Sequence, residues 1–167
     1  MNLLNYFGNN WKPNYDNFKY SGWALLEKID SHETVLDVGC GFNLFKKHLG
    51  ERLYGFDPAN VEADEVVSIE EFDNWKQWDV VLCLGSLNFG ERDIVEAQVK
   101  KAVSFGKRIY WRQNPGVADH PWKGVEEINF FPWTIDLNYE WAEKYNCEVI
   151  ECKWDDRNRI YAEWKRL

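Results

Sequence analysis

The chain is poor in the residues that build metal centres, disulfide frameworks and P-loops. Its 167 residues include four cysteines, Cys40, Cys83, Cys147 and Cys152, and three histidines, with no C-x-x-C pair and no Cys/His ligand spacing. No metal site is therefore expected. The cysteines read as reduced thiols of a cytoplasmic protein, with Cys147 and Cys152 on opposite faces of one strand. No Gly-Lys-Ser/Thr occurs, which excludes ATP hydrolysis of the P-loop type. The longest uncharged runs, Met1 to Trp11 and Val80 to Gly90, hold 11 residues each, too few to span a bilayer. The N-terminus lacks the basic stretch of a secretory signal. Positive charge is also short: 20 Lys and Arg against 28 Asp and Glu leave a net charge of −8. That balance argues against duplex DNA, whose affinity rests on phosphate neutralisation, and against an anionic membrane surface.

What the chain has in quantity is aromatic rings, at 17 % of residues with 10 Trp, 8 Tyr and 10 Phe. They can fill a core, line an apolar ligand pocket, or do both. A chain of this length suits one domain, 1–167, with its own core. Residues 1–20, rich in Asn and aromatics and without periodicity, read as an irregular arm packed on that domain.

Periodicity then alternates between strand and helix. Phe18, Gly22, Leu25, Leu26 and Ile29 follow helical spacing. Thr34 to Val38 is a short buried strand, followed by Gly39-Cys-Gly41. Phe42, Phe45 and Leu49 mark a helix that Gly50 can end. Leu53 to Phe56 is a second strand ending in Asp57-Pro58, and Val66-Val67 with Ile69 suggests a third. Asp79 to Leu84 is apolar enough to be covered on both faces. Glu91 to Phe105 is a helix closed by Gly106, and Arg108 to Arg112 a fifth strand. Residues 113–133 carry three of the five prolines and form a long loop, a feature usually tied to function. Leu137, Trp141 and Tyr145 mark a last helix with Thr134 as its N-cap. Two strands, Glu148 to Lys153 and Arg159 to Lys165, close the chain around the turn at Asp155 to Asn158. Such alternation implies a mainly parallel sheet with helices on both faces.

In such sheets ligands sit beyond the carboxyl ends of the strands. There the chain places Asp37-Val-Gly39-Cys-Gly41-Phe-Asn43 and, sixteen residues after Gly41, Asp57. The glycines allow a sharp turn and close approach, and an acid at the second strand end can accept both ribose hydroxyls. Together they point to an adenosine-containing ligand. The dinucleotide fingerprint would need glycine where Leu44 stands, which lowers NAD and FAD. Without a ligand, the same residues would be a tight turn and a turn-forming Asp-Pro.

Val35-Leu-Asp-Val-Gly-Cys-Gly41 resembles the first motif of the class I S-adenosylmethionine-dependent methyltransferases. Tyr54-Gly-Phe-Asp-Pro58 resembles their second motif and Trp78 to Gly85 their fourth. The likeness runs from about Gly22 to the C-terminus. It implies a three-layer Rossmann-like α/β sandwich with a seven-stranded sheet in the order 3-2-1-4-5-7-6, strand 7 antiparallel. It implies S-adenosylmethionine as cofactor, S-adenosylhomocysteine as product, and a role for each matched position. Asp37 would steady the glycine loop and reach the cofactor's amino group. Gly39, Cys40 and Gly41 would lie along its methionine part, Cys40 as a small filler rather than a nucleophile. Asp57 would hold the ribose with Pro58 beside the adenine, Ser68 and Ile69 would flank the adenine, and Leu84 and Gly85 would lie near the reacting end. Asn43 stands where many members carry a third glycine, and Asn is well suited to the left-handed conformation needed there.

The acceptor is expected to be a small molecule, because no Asp/Asn-Pro-Pro-aromatic motif of nucleic-acid N-methyltransferases follows Leu84. Trp111, Arg112 and Asn114, at the fifth strand's end, are candidate acceptor contacts, and His120 is the one histidine placed to act as a base. The arm, with Tyr6, Trp11, Tyr15 and Tyr20, and the loop 113–133 are expected to form a lid. Asp57→Ala is expected to weaken ligand binding by roughly 1.5–3 kcal/mol with little loss of fold. A second reading is a catalytically silent methyltransferase-like binding or assembly protein, whose exposed rings would meet a protein partner. A third is a different adenosine-ligand enzyme on the same fold.

Overall fold

The computed structural model describes residues 3–12, 14–117 and 128–167. Seven strands form one sheet: β1 (Val35–Val38), β2 (Leu53–Asp57), β3 (Glu65–Val66), β4 (Trp78–Leu84), β5 (Gly106–Gln113), β6 (Cys147–Asp155) and β7 (Arg159–Arg166). Their order is β3-β2-β1-β4-β5-β7-β6, parallel from β3 to β5, with β7 antiparallel to both of its neighbours. This is the order that the sequence resemblance implies. Because β7 runs backwards, the β6–β7 turn lies at the same end of the sheet as the carboxyl ends of β1, β4 and β5.

Strand alternation sorts two cores. On one face Leu36, Val38, Val81, Cys83, Ile109, Trp111, Ala162 and Trp164 meet α3 (Arg92–Ser104) and α4 (Ile135–Lys144) through Val95, Val99, Leu137 and Trp141. Half of the ten tryptophans are spent here: Trp111 lies 4.7 Å from Trp164 and 6.0 Å from Trp133, and Phe131 stacks on Trp141 at 5.6 Å. Each such ring pair adds roughly 0.5–1.5 kcal/mol beyond its area. On the other face Val35, Val80, Leu82, Tyr110 and Tyr161 meet Leu25, Phe45, Leu49 and Tyr15.

Several local expectations are corrected. The helix expected over Phe18 to Ile29 is a 3-10 helix, Gly22–Lys28. It starts late because the backbone N–H groups of Lys19, Tyr20 and Ser21 all donate to Asp155, not to a preceding helical turn. After α1 (Leu3–Asn5), a single turn in the arm, the helix expected after Gly41 shrinks to α2 (Lys46–Leu49), since Asn43 takes a left-handed φ of 58°. Gly106 is the first residue of β5, not a helix terminator; a Cβ there would stand 2.7 Å from the Trp78 carbonyl oxygen. In β6 the register slips, Val149 facing Trp164 but Glu151 facing Glu163, so Ile150 is an extra residue. That bulge flips everything after it, and Cys152 packs toward the same core as Cys147. Other boundaries agree with expectation: Gly50 ends α2 at φ 62°, and the Thr134 hydroxyl accepts from Leu137 N–H at 3.0 Å to cap α4.

Candidate functional site

The ends of β1 and β2 are sewn together by the backbone of the glycine turn. Gly39 and Gly41 have φ of 69° and 54°, a region that L side chains rarely adopt. A Cβ on Gly39 would run into Ser86, and one on Gly41 would stand 2.7 Å from the Trp11 ring. The N–H groups of Gly39 and Cys40 both donate to the Phe56 carbonyl, at 2.9 and 3.0 Å. Gly41 N–H donates to Asp57 Oδ2 at 2.9 Å, while Asp57 Oδ1 accepts from Ala59 and Asn60 N–H at 2.8 and 2.9 Å. Asp57 is thus a structural clamp as well as a cavity-lining acid. Of about four acceptor directions on a carboxylate, three are taken, leaving one on Oδ2 where two ribose hydroxyls had been expected to bind. Asp57→Ala would also orphan three backbone donors, so the expectation of little loss of fold is corrected.

Asp37 lies beneath this turn. It is 3 % exposed, and its carboxylate makes no hydrogen bond among the described residues. Burial, reinforced by the Asp57 charge, lifts it from the ordinary range to about 7. Tyr15 lies near both acids; burial first, then Asp37, pushes its phenol far above the usual range. Cys40 turns away from the cavity and packs where a Gly55 side chain would go, 2.9 Å from its Cβ position. Burial beside Asp37 and Asp57 drives that thiol upward too, which suits a filler and not a nucleophile.

Above the strand ends opens a cavity of about 730 Å³, within the range of small-molecule sites. Gly39, Gly41, Asp57, Pro58, Ser68, Ile69, Leu84 and Gly85 all line it. Ser86 also lines it, with a buried Oγ that has no hydrogen-bond partner among the described residues. The arm folds over the opening through Phe7, Trp11, Tyr15 and Phe18, whereas Tyr20 packs under Lys153 Nζ at 3.6 Å, outside the cavity.

The far end is built by side chains from distant segments. Arg112 lines it and lies 3.6 Å over the Phe18 ring. Its guanidinium is already committed: Nη1 donates to Asp155 at 2.6 Å and to Ser21 Oγ at 3.0 Å, and Nη2 to the Asp156 carbonyl at 2.9 Å. Burial pulls it down to about 10, against the opposing Asp155 charge. Burial works against Asp155 as well, but hydrogen bonds from Ser21, Asp156 and Tyr20 hold its carboxyl below the usual range. The pair therefore latches the arm's exit to the β6–β7 hairpin. Asn114 lines the cavity, yet its side chain closes a turn with Gly116 and Val117. Trp111 is a correction: adjacent strand residues face opposite ways, so with Arg112 toward the cavity Trp111 is in the core, 1 % exposed. Phe131 and Trp133, expected in the lid, are core residues too. His120 lies outside the described residues.

The sequence reading missed Asn88, Arg157 and Arg159, all in the lining, where Phe130 of the loop 113–133 also stands. Asn88 Oδ1 accepts from Asn114 N–H at 3.0 Å, joining the β4 and β5 ends. The signal for the two arginines was the hairpin itself, whose tip had to fall at the carboxyl end of the sheet.

No protein-family model matches the chain, and no curated protein matches it. Solved structures do. The magnesium protoporphyrin IX methyltransferase of Synechocystis with bound S-adenosylhomocysteine superposes with a TM-score of 0.67 at 13 % identity, over 86 % of this chain and 79 % of that one. The Burkholderia thailandensis 1,6-didemethyltoxoflavin-N1-methyltransferase, bound to its namesake and S-adenosylhomocysteine, gives 0.63 at 13 % identity, over 80 % and 71 %. The N-methyltransferase NodS of Bradyrhizobium japonicum, with S-adenosylhomocysteine, gives 0.61 at 10 % identity, over 80 % and 78 %. The fold of this chain is the Rossmann-like methyltransferase fold.

Proposed function

We propose that this protein transfers a methyl group from S-adenosylmethionine to a small-molecule acceptor. The observation that carries the reading is the cavity over β1 and β2, where two side-chain-free glycines border the lining and Asp57 keeps one acceptor direction. The residues present suit the cofactor. Asp57 would take a ribose hydroxyl, Pro58 and Ile69 would offer apolar contact to a base, and Gly39 and Gly41 would admit the methionine part. Ser86 Oγ would meet its polar groups, while Asp37, expected from the resemblance to reach the amino group, lies beneath the turn and outside the described lining. The solved structures on this fold that hold S-adenosylmethionine or its product support the reading.

When bound, the cofactor supplies a methyl carbon on a positive sulfur, which an acceptor lone pair displaces in line, leaving a neutral thioether. The protein's share is alignment and exclusion of water, which can supply roughly 7–11 kcal/mol. Trp11 and Phe7 close the opening, and Leu84, Gly85 and Asn88 border the end where donor and acceptor would meet. Among the described residues no histidine lines the cavity. A base matters only where the acceptor must lose a proton before it attacks.

Calorimetric titration with S-adenosylhomocysteine tests the reading. Binding at one site per chain, lost in the Gly41→Val variant, is expected. No heat with either cofactor form would overturn it in favour of a silent domain serving a protein partner.

A further inference from the structure

Charge around the cavity is segregated. Among the described residues of its lining, the two acidic ones, Asp57 and Glu70, belong to the end built by β1 to β3 and the segment after β3. The four basic ones, Lys12, Arg112, Arg157 and Arg159, come from the arm, β5 and the β6–β7 hairpin. In a chain of net charge −8, the excess of cations among the described lining residues reverses the balance of the whole. Arg112 is neutralised by Asp155, and Arg159 donates to the turn carbonyls of Arg157 and Asn158. Asp156 shares the hairpin but does not line the cavity. Arg157 differs: its side chain makes no hydrogen bond or ion pair with any described residue.

The backbone says the same. Arg157 and Asn158 have φ of 58° and 55°, consecutive left-handed residues at the tip of a hairpin. Such a turn favours Asn or Gly at both places. Asn158 suits it; an arginine before it is held in a disfavoured conformation, as strained residues at ligand sites often are. The cavity also has an aromatic wall, Phe7 at 5.3 Å from Phe89 and Phe89 at 5.4 Å from Phe130.

We propose that the methyl acceptor is a planar aromatic molecule bearing an anionic group, its rings against Phe7, Phe89 and Phe130 and its charge on Arg157. This rests on the methyl-transfer reading and names the acceptor class for the same cavity. The probes are 1-naphthoate and its neutral counterpart 1-naphthylmethanol, titrated calorimetrically into the full chain at low salt, with and without saturating S-adenosylhomocysteine. Naphthoate is expected to bind about tenfold more tightly than the alcohol, the factor that one charge-assisted hydrogen bond supplies. Arg157→Asn, which keeps a residue suited to the turn, should erase most of that preference while leaving S-adenosylhomocysteine affinity intact; Arg157→Lys should retain part of it. Equal affinity for the two probes, or a preference that survives Arg157→Asn, would overturn the assignment. Failure of S-adenosylhomocysteine to bind would strike the cofactor reading, and with it the ligand's part as methyl acceptor; the anionic aromatic site itself is judged separately, because the naphthoate preference is read without the cofactor product as well.

Discussion

The two ends of the cavity are made in different ways. The end over β1 and β2 is backbone: two glycines in left-handed conformations, a carbonyl at Phe56 and an acid that clamps three N–H groups. Its parts lie within about twenty residues of chain. The end over β5 and β7 is side chain: Arg112, Asn88, Phe130 and Arg157 converge from separate segments, and the Ser21–Arg112 contact spans 91 residues. A ligand shared among many proteins can be met by a local motif. A ligand particular to one protein is met by whatever side chains the fold brings to the rim.

The sharpest way to break the far end alone is Asp155→Ala. It leaves Arg112 buried without its partner and frees the N–H groups of Lys19, Tyr20 and Ser21. A loss of roughly 3–5 kcal/mol in urea unfolding is expected, with faster hydrogen exchange at residues 19–21. A loss below about 1 kcal/mol would mean that the arm is not latched there. The cofactor end gives an effect of opposite sign. Asp37 is held at about 7 against an ordinary 3.8, so the native state keeps a proton that the unfolded chain releases between those values. Stability should therefore fall as pH rises from about 4 to 7, by as much as about 4 kcal/mol. Asp37→Asn should remove that slope and leave the chain more stable than the parent at pH 8. Unfolding curves at pH 5 and pH 8 decide it; an undiminished slope would assign the proton elsewhere.

The same division governs what could be read from the sequence. Gly39, Gly41 and Asp57 were legible because a strand end, a glycine turn and an acid have a fixed order along the chain. Asn43 was legible because few residues besides glycine accept a φ of 58°. The sheet followed from the apolar runs of β1 and β4 and from the resemblance. Trp111 and Arg112 were named together, although strand alternation puts adjacent residues on opposite faces and could have separated them. Cys152 was misplaced because nothing in Glu148 to Lys153 announces a bulge at Ile150. Arg157 was invisible because its role depends on the antiparallel return of β7, a tertiary fact.

A smaller effect tests whether Asp57 serves both ends of its hydrogen-bond set. Asp57→Asn keeps the size of the side chain but replaces one oxygen with a donor, against N–H groups that all point at it. S-adenosylhomocysteine affinity should drop by roughly 1.5–3 kcal/mol, with a parallel fall in melting temperature. A fall in melting temperature with unchanged affinity would make Asp57 a clamp only, and would move the ribose contact to another residue.

The smallest effect bears most directly on how the far end arose. If Arg157 is kept for its charge, it should be a liability to the fold, since a left-handed φ of 58° disfavours any side chain with a Cβ. Asparagine tolerates that region better, so Arg157→Asn should raise stability by a few tenths to about 1 kcal/mol while weakening the grip on an anionic aromatic probe. A stabilised chain that binds naphthoate less well is the pattern of a residue retained for its ligand. If the variant is instead less stable than the parent, then the guanidinium supports the hairpin, and the basic end of the cavity is a by-product of packing.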